Sequence, residues 1–235
     1  MENIVKLDDL YFETLGAPKP GEPFNLIDDY RFQLTYNQLM SGSVLDVGVY
    51  FGDFLKLARK NSHKILGTEI NQDRVDLANS LLNENVVKLD FRNGKLLSYD
   101  KNSVENVVCT EVVEHVPDHK LAISELCRVA QRNVIITVPF SEKIQTVCCL
   151  HCNNYTPHSG HLHSYDLSTF QQLLPNGWRI KKQIIFGNKI MRILMNKLNF
   201  KRRRHNVWLV QLLDKILPGK GFWLMVVLHN KIDNA

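Results

Sequence analysis

Residues Val44 to Ala58 read VLDVGVYFGDFLKLA. A short apolar run ends on an acid, passes through a turn spaced by glycines and enters a stretch of helical periodicity. This order fits a parallel strand that delivers Asp46 to its carboxyl end, where Gly48 and Gly52 let the backbone turn sharply and approach a ligand. A second acid, Glu69, stands at the tip of the next apolar run, KILGTEI. Its distance from the turn is near the roughly 20 residues that separate a glycine turn from a ribose-binding carboxylate. The pattern predicts a site for an adenosine-containing cofactor.

The glycine spacing argues against a dinucleotide. A pyrophosphate loop needs G-x-G-x-x-G, whereas Val49, Tyr50 and Phe51 separate Gly48 from Gly52. Tyr50 stands where a third glycine is expected, and so bulky a loop suits a ligand without phosphates. Asp46-Val47-Gly48 with Gly52, then Glu69, Asp90-Phe91 and TEVVEHVPD at 110–118, resembles a class I S-adenosylmethionine-dependent methyltransferase. The resemblance is to the branch with E-x-x-E-H-V-P-D after strand four. It covers about residues 40 to 140 and departs at Tyr50, where most members have glycine.

The rest of the chain keeps the same rhythm. Apolar runs at 43–47, 64–68, 85–89, 104–109 and 133–138 alternate with helical patterns at 52–60, 72–83 and 118–130. Such alternation predicts a Rossmann-like α/β fold, a mostly parallel sheet with helices on both faces. Pro139 closes the fifth strand. A Pro/Gly-rich leader and a helix occupy residues 1–40, and the domain proper is expected over 41–235. Within it, a Cys/His/Asn-rich lid is expected at about 141–175 and a basic helical insertion at about 188–217. WRIKKQIIF and GFWLMVVLHN supply two late strands, and the resemblance implies seven in all.

The resemblance also implies roles. Asp46 and the loop Gly48, Val49, Tyr50 and Gly52 would bind the methionyl end of S-adenosylmethionine. Glu69, with Ile70 after it, would take the ribose hydroxyls; Asp90 would receive the adenine amino group and Phe91 pack on its ring. Glu111 would lie near the sulfonium, and His115 would be the base that takes a hydroxyl proton from the acceptor. The expected reaction is O-methylation of a small or carrier-linked acceptor such as a sugar or isoprenoid.

Two metal readings stay open. Glu111, Glu114 and His115 are spaced to share one helix face and could hold a hard cation such as magnesium. Similar segments in small-RNA and ubiquinone-pathway methyltransferases bind a metal. Cys149 and Cys152 with His158 and His161 are a rival set suited to tetrahedral zinc. His161 or His163 could instead complete the glutamate site.

Composition narrows the class further. No apolar run is long enough to span a bilayer, and the first residues lack the order of a secretion signal, so the expected location is cytoplasmic. The net charge of +5 is concentrated late, at Lys181-Lys182 and in KRRRH at 201–205, a run suited to a phosphate, a headgroup or an anionic membrane surface. RNA as acceptor, or a non-catalytic subunit of this fold, are the competing readings. The modest charge and the lack of a stacking-aromatic motif weigh against RNA.

Overall fold

The structure, a computed structural model, describes residues 26–61, 63–148, 151–188, 190, 207–216 and 221–231. Helix α1 (Leu26–Tyr36) leads into β1 (Ser43–Val47), α2 (Asp53–Lys60), β2 (Lys64–Glu69), α3 (Gln72–Leu82) and β3 (Val87–Leu89). Then come β4 (Val104–Thr110), α4 (His119–Val129), β5 (Ala130–Pro139), β6 (Thr146–Cys148) and β7 (Tyr155–Pro157). Helix α5 (Thr169–Leu173), β8 (Trp178–Asn188), α6 (Val207–Ile216) and β9 (Gly221–Asn230) complete the order.

Seven strands form one sheet in the order β3-β2-β1-β4-β5-β9-β8. The first five are parallel, and β9 runs antiparallel to both β5 and β8. The central strands are apolar on both faces because helices cover both. Leu45, Val47, Val107, Cys109, Val134 and Ile136 face α4 and α5 in one core. Val44, Val108 and Ile135 face α1, α2 and α6 in another, through Tyr30, Phe54 and Val210. This is the expected Rossmann-like sheet. Strand order reverses between β1 and β4, and the crevice beyond the carboxyl ends at such a point is where this architecture binds ligands.

Local chemistry sets the element ends. Asn71 caps α3 by accepting the Arg74 N–H at 3.2 Å, and Asp118 caps α4 through Leu121 N–H at 2.9 Å. Gly52 precedes α2 in a left-handed conformation, φ 77°. The segment expected as a plain loop after Pro139 contains a small antiparallel hairpin, β6 with β7, outside the main sheet. Of the basic helical insertion expected at about 188–217, Val207–Ile216 form a helix, and KRRRH at 201–205 lies outside the described residues.

One buried amide ties the chain's entry to the centre of the sheet. Asn106 on β4 accepts the Met40 N–H at 2.8 Å and donates to the carbonyls of Met40 and Ser43 at 2.9 and 3.0 Å. Asn106→Ala orphans these groups in a dry place and should destabilise the protein by about 2–3 kcal/mol, measured as a lower urea midpoint with unchanged slope.

Candidate active site

Three acids stand at the carboxyl ends of successive strands. Asp46 is in β1, Glu69 ends β2 and Asp90 follows β3, and all three are buried. Each has a different set of partners. Asp46 Oδ1 has no hydrogen-bond partner among the described residues. Burial and the neighbouring Glu69 push its carboxyl well above the usual range, against the pull of Arg31. Glu69 accepts the Tyr50 N–H at 2.7 Å and the Ile70 N–H at 3.1 Å, and burial again raises it. Asp90 accepts three backbone N–H groups, from Phe91 (2.8 Å), Leu97 (3.0 Å) and Ser98 (2.8 Å). It therefore clamps the loop after β3, and one in-plane lone pair remains for a ligand.

The loop after β1 takes its shape from these bonds. Gly48 has φ 82°, and a Cβ there would come 2.5 Å from Val112 Cγ2. Tyr50 has φ 54°, the left-handed conformation for which a glycine was expected. Its N–H is fixed by Glu69, and its ring rests on Phe51 at 4.0 Å between centroids with the Arg74 guanidinium 5.4 Å over it. Val49 is buried and Ile70 is 37% exposed at the mouth. Phe91 is buried in the α4-side core, whereas sequence reasoning set it against a ligand ring.

The E-x-x-E-H segment departs from the one-helix-face expectation. Glu111 is left-handed, φ 56°, and only Val113–His115 form a short 3₁₀ turn. Glu111 turns toward β5 and β9, accepting the Thr137 hydroxyl at 3.1 Å and the Trp223 indole N–H at 2.8 Å. Arg31 of α1 lies 3.6 Å from it, pairs with Asp28 at 3.2 Å and sits 5.2 Å over the Trp223 ring. Arg31 is buried, and its Nε has no hydrogen-bond partner among the described residues. Sequence reasoning missed it; the available signal was an arginine on the apolar face of α1, three residues after Asp28.

Glu114 and His115 meet His161 instead. One ligand atom from each lies within 4.8 Å of the others, and this is the sole such trio found among the described residues. Both oxygens of Glu114 are buried without a hydrogen-bond partner among those residues. Burial first, then Glu111, raises its carboxyl well above the ordinary range. His115 donates Nδ1–H to the Gly160 carbonyl at 3.2 Å, and His161 donates Nδ1–H to the Glu142 carboxylate. In its neutral form each imidazole would carry its lone pair on Nε2. Burial and the adjacent His161 push His115 down to about 4, so it is neutral at pH 7.

Of the zinc set, Cys152, His158 and His161 do not form a cluster among the described residues. His161 is engaged with Glu142 and His115, Cys152 is exposed on the turn between β6 and β7, and His158 N–H is held by the Gln145 carbonyl at 2.7 Å. Cys149 lies outside the described residues. His163 stacks on His119 at 3.8 Å and donates to the Val116 carbonyl, so His161, not His163, joins the glutamate site. Beside His161 a cleft of about 190 Å³ is lined by Glu142, Lys143, Ile144, Gln145, Ser159 and His161.

Comparison with known proteins agrees with this geometry. Residues 45–138 match the family described as "Methyltransferase domain". These residues, from β1 to β5, are similar to a methyltransferase domain. A solved S-adenosylmethionine-dependent methyltransferase from Mesorhizobium loti shares the fold, with TM-score 0.61 and 13% identity, covering 87% of this chain and 100% of that one. Ubiquinone biosynthesis O-methyltransferases are similar at lower coverage. The one from Coxiella burnetii is 24% identical over 121 residues, 50% of this chain and 52% of that protein. The one from Hahella chejuensis is 27% identical over 137 residues, 56% of this chain and 57% of that protein. The chain thus spans about half the length of the curated relatives it matches. No helix among the described residues is long and apolar enough to cross a membrane.

The buried carboxyl of Glu114 makes a signed prediction. A raised folded-state value means its contribution is intact below the unfolded carboxyl value, about 4.3, and is lost as pH climbs through the folded value. Urea unfolding without added metal should find Glu114→Gln more stable than the parent by about 1–3 kcal/mol at pH 8. The two curves should converge near pH 4.

Proposed function

We propose that the protein is an S-adenosylmethionine-dependent methyltransferase that methylates a hydroxyl oxygen on a small or carrier-linked acceptor, such as a sugar or an isoprenoid. The observation that carries the reading is a cradle at the switch point with the right deficits. Asp46 offers a buried oxygen without a hydrogen-bond partner among the described residues, and Gly48, left-handed at φ 82°, lets the loop pass against Val112 where a Cβ would clash. A neutral imidazole stands at the end of β4.

S-adenosylmethionine, when bound, supplies an electrophilic methyl on a cationic sulfur. Asp46 would accept from the methionyl amine, and Arg31, turned into the same space from α1, would meet the carboxylate. Glu69 would receive the ribose hydroxyls on lone pairs left by Tyr50 and Ile70, while Ile70 flanks the purine and Asp90 accepts its amino group. Glu111, fixed by Thr137, Trp223 and Arg31, would hold negative charge near the sulfonium. His115 takes the hydroxyl proton at Nε2, and its bond to Gly160 keeps that atom the acceptor. The cleft beside His161 is the entrance for the acceptor, and the 158–165 segment over it keeps water from the reacting atoms.

The alternative to His115 as base is a divalent cation held by Glu114, His115 and His161, favoured by the two Glu114 oxygens that have no hydrogen-bond partner among the described residues. Glu142 orients His161 as carboxylates orient metal-bound imidazoles. Such an ion, when bound, would lower the pKa of an acceptor hydroxyl.

Calorimetry with S-adenosylhomocysteine tests the cofactor reading. Micromolar binding is expected, weakened at least about tenfold by Asp46→Ala or Glu69→Ala; no heat of binding would leave only a non-catalytic protein of this fold. With an acceptor found by methyl-label transfer, His115→Ala should lower kcat about 10²–10⁴-fold while S-adenosylhomocysteine affinity stays unchanged. Metal analysis on untagged protein separates the two metal readings. Glu114→Ala should abolish bound metal and Cys149→Ser/Cys152→Ser should not; the opposite result would move the metal to the cysteines.

A further inference from the structure

The cleft beside His161 is built from the two ends of one hairpin. Glu142, Lys143, Ile144 and Gln145 lead into β6, and Ser159 and His161 follow β7. Backbone and side-chain bonds tie the two ends together. The Ser141 N–H donates to the Tyr165 carbonyl at 2.7 Å, the Ser164 hydroxyl to the Glu142 carbonyl at 2.8 Å and the His158 N–H to the Gln145 carbonyl at 2.7 Å. The Glu142 carboxylate also holds the His161 ring. The walls are thus set before a ligand arrives, which lowers the ordering cost of binding. His161 is the wall that the cleft shares with the reaction centre, its ring centroid 4.8 Å from that of His115.

The lining selects the chemistry of the occupant. Lys143 brings only donors, the Glu142 carboxylate only acceptors, and Gln145 and Ser159 bring both. Among the described residues the side chains of Lys143, Gln145 and Ser159 make no hydrogen bond or ion pair within the protein, so these groups are left for a ligand. Ile144 is the sole apolar side chain among the described lining residues. An isoprenoid chain or a phenolic ring needs continuous apolar walls. An anion would face the Glu142 carboxylate. A neutral polyol, each of whose hydroxyls both donates and accepts, matches a mixed set of this kind. The cleft, about 190 Å³, is also smaller than the roughly 300–1,000 Å³ of sites for drug-sized ligands, so it suits a single ring and leaves any carrier outside.

We propose that this cleft takes the ring of an uncharged sugar, free or at the head of a carrier, so that the acceptor is a glycosyl hydroxyl. The inference rests on the methyl-transfer reading and narrows its acceptor. Lys143, Gln145 and Ser159 are then the residues that determine specificity, binding the hydroxyls that do not react. The reacting sugar oxygen forms its bond to carbon as the methyl–sulfur bond breaks. The electron pair of that bond stays on sulfur, and the hydroxyl proton passes to His115 Nε2.

Saturation-transfer NMR on the intact chain with S-adenosylhomocysteine tests this. The probes are the methyl glycosides of glucose, galactose, mannose, rhamnose and N-acetylglucosamine, with geraniol and catechol for comparison. Saturation of at least one glycoside is expected, and of neither geraniol nor catechol, with methyl-label transfer to the glycoside that binds. Lys143→Ala and Gln145→Ala should each raise the KM for that glycoside about tenfold without lowering kcat, through loss of binding shared by ground and transition states. S-adenosylhomocysteine affinity should stay at the parent value, and circular dichroism melts that match the parent show both variants folded. Glycosides that stay unsaturated, a preference for geraniol or catechol, or a KM indifferent to both substitutions overturns the proposal while S-adenosylhomocysteine still binds. Absence of S-adenosylhomocysteine binding in calorimetry is the separate result that overturns the methyl-transfer reading, and this inference with it.

Discussion

Among the described residues a single buried guanidinium stands against a crowd of carboxylates at the carboxyl edge of this sheet, with Arg74 acting on Glu69 from nearer the surface. Arg31 touches Asp28 and Glu111, and its charge also acts on Asp46 and Glu114. Burying several acids with one cation leaves the edge short of positive charge. The strain shows in the carboxyls themselves, since Asp46, Glu69, Glu111 and Glu114 are all raised by burial. A ligand bearing an amine and a sulfonium would relieve part of that shortage. Affinity for cationic partners is in this sense built in before any specific contact is counted.

Much of the fold was legible because the signals were local. A parallel strand covered on both faces must be a short apolar run, and β2, β4 and β5 end on Glu69, Thr110 and Pro139. Asp46, Glu69 and Asp90 were readable for the same reason, as chain position alone places them at strand ends. What escaped depends on chain returning from a distance. Arg31 reaches Glu111 from 80 residues earlier, and Trp223 reaches it from 112 residues later. Neither pairing leaves a trace in spacing.

Glu111 shows how a local rule misleads. Three positions spaced for one helical face gain that face only if every backbone unit is right-handed. The positive φ of Glu111 swings its side chain toward β9, leaving Glu114 and His115 to find His161. The lid histidines are recruited by the 113–119 turn: Leu162 N–H donates to the Glu114 carbonyl at 2.7 Å, and Tyr165 hydroxyl bonds His119 at 2.9 Å. Strapping of this kind positions His161 more firmly than a surface hairpin could.

The position of β9 has a bearing on biogenesis. It is wedged between β5 and β8, yet it is made some eighty residues after β5. Throughout that interval the emerging polypeptide shows an open row of amides and carbonyls along Val134–Val138, a ready template for foreign strands. The sheet can close only when this late strand slots in between β5 and β8.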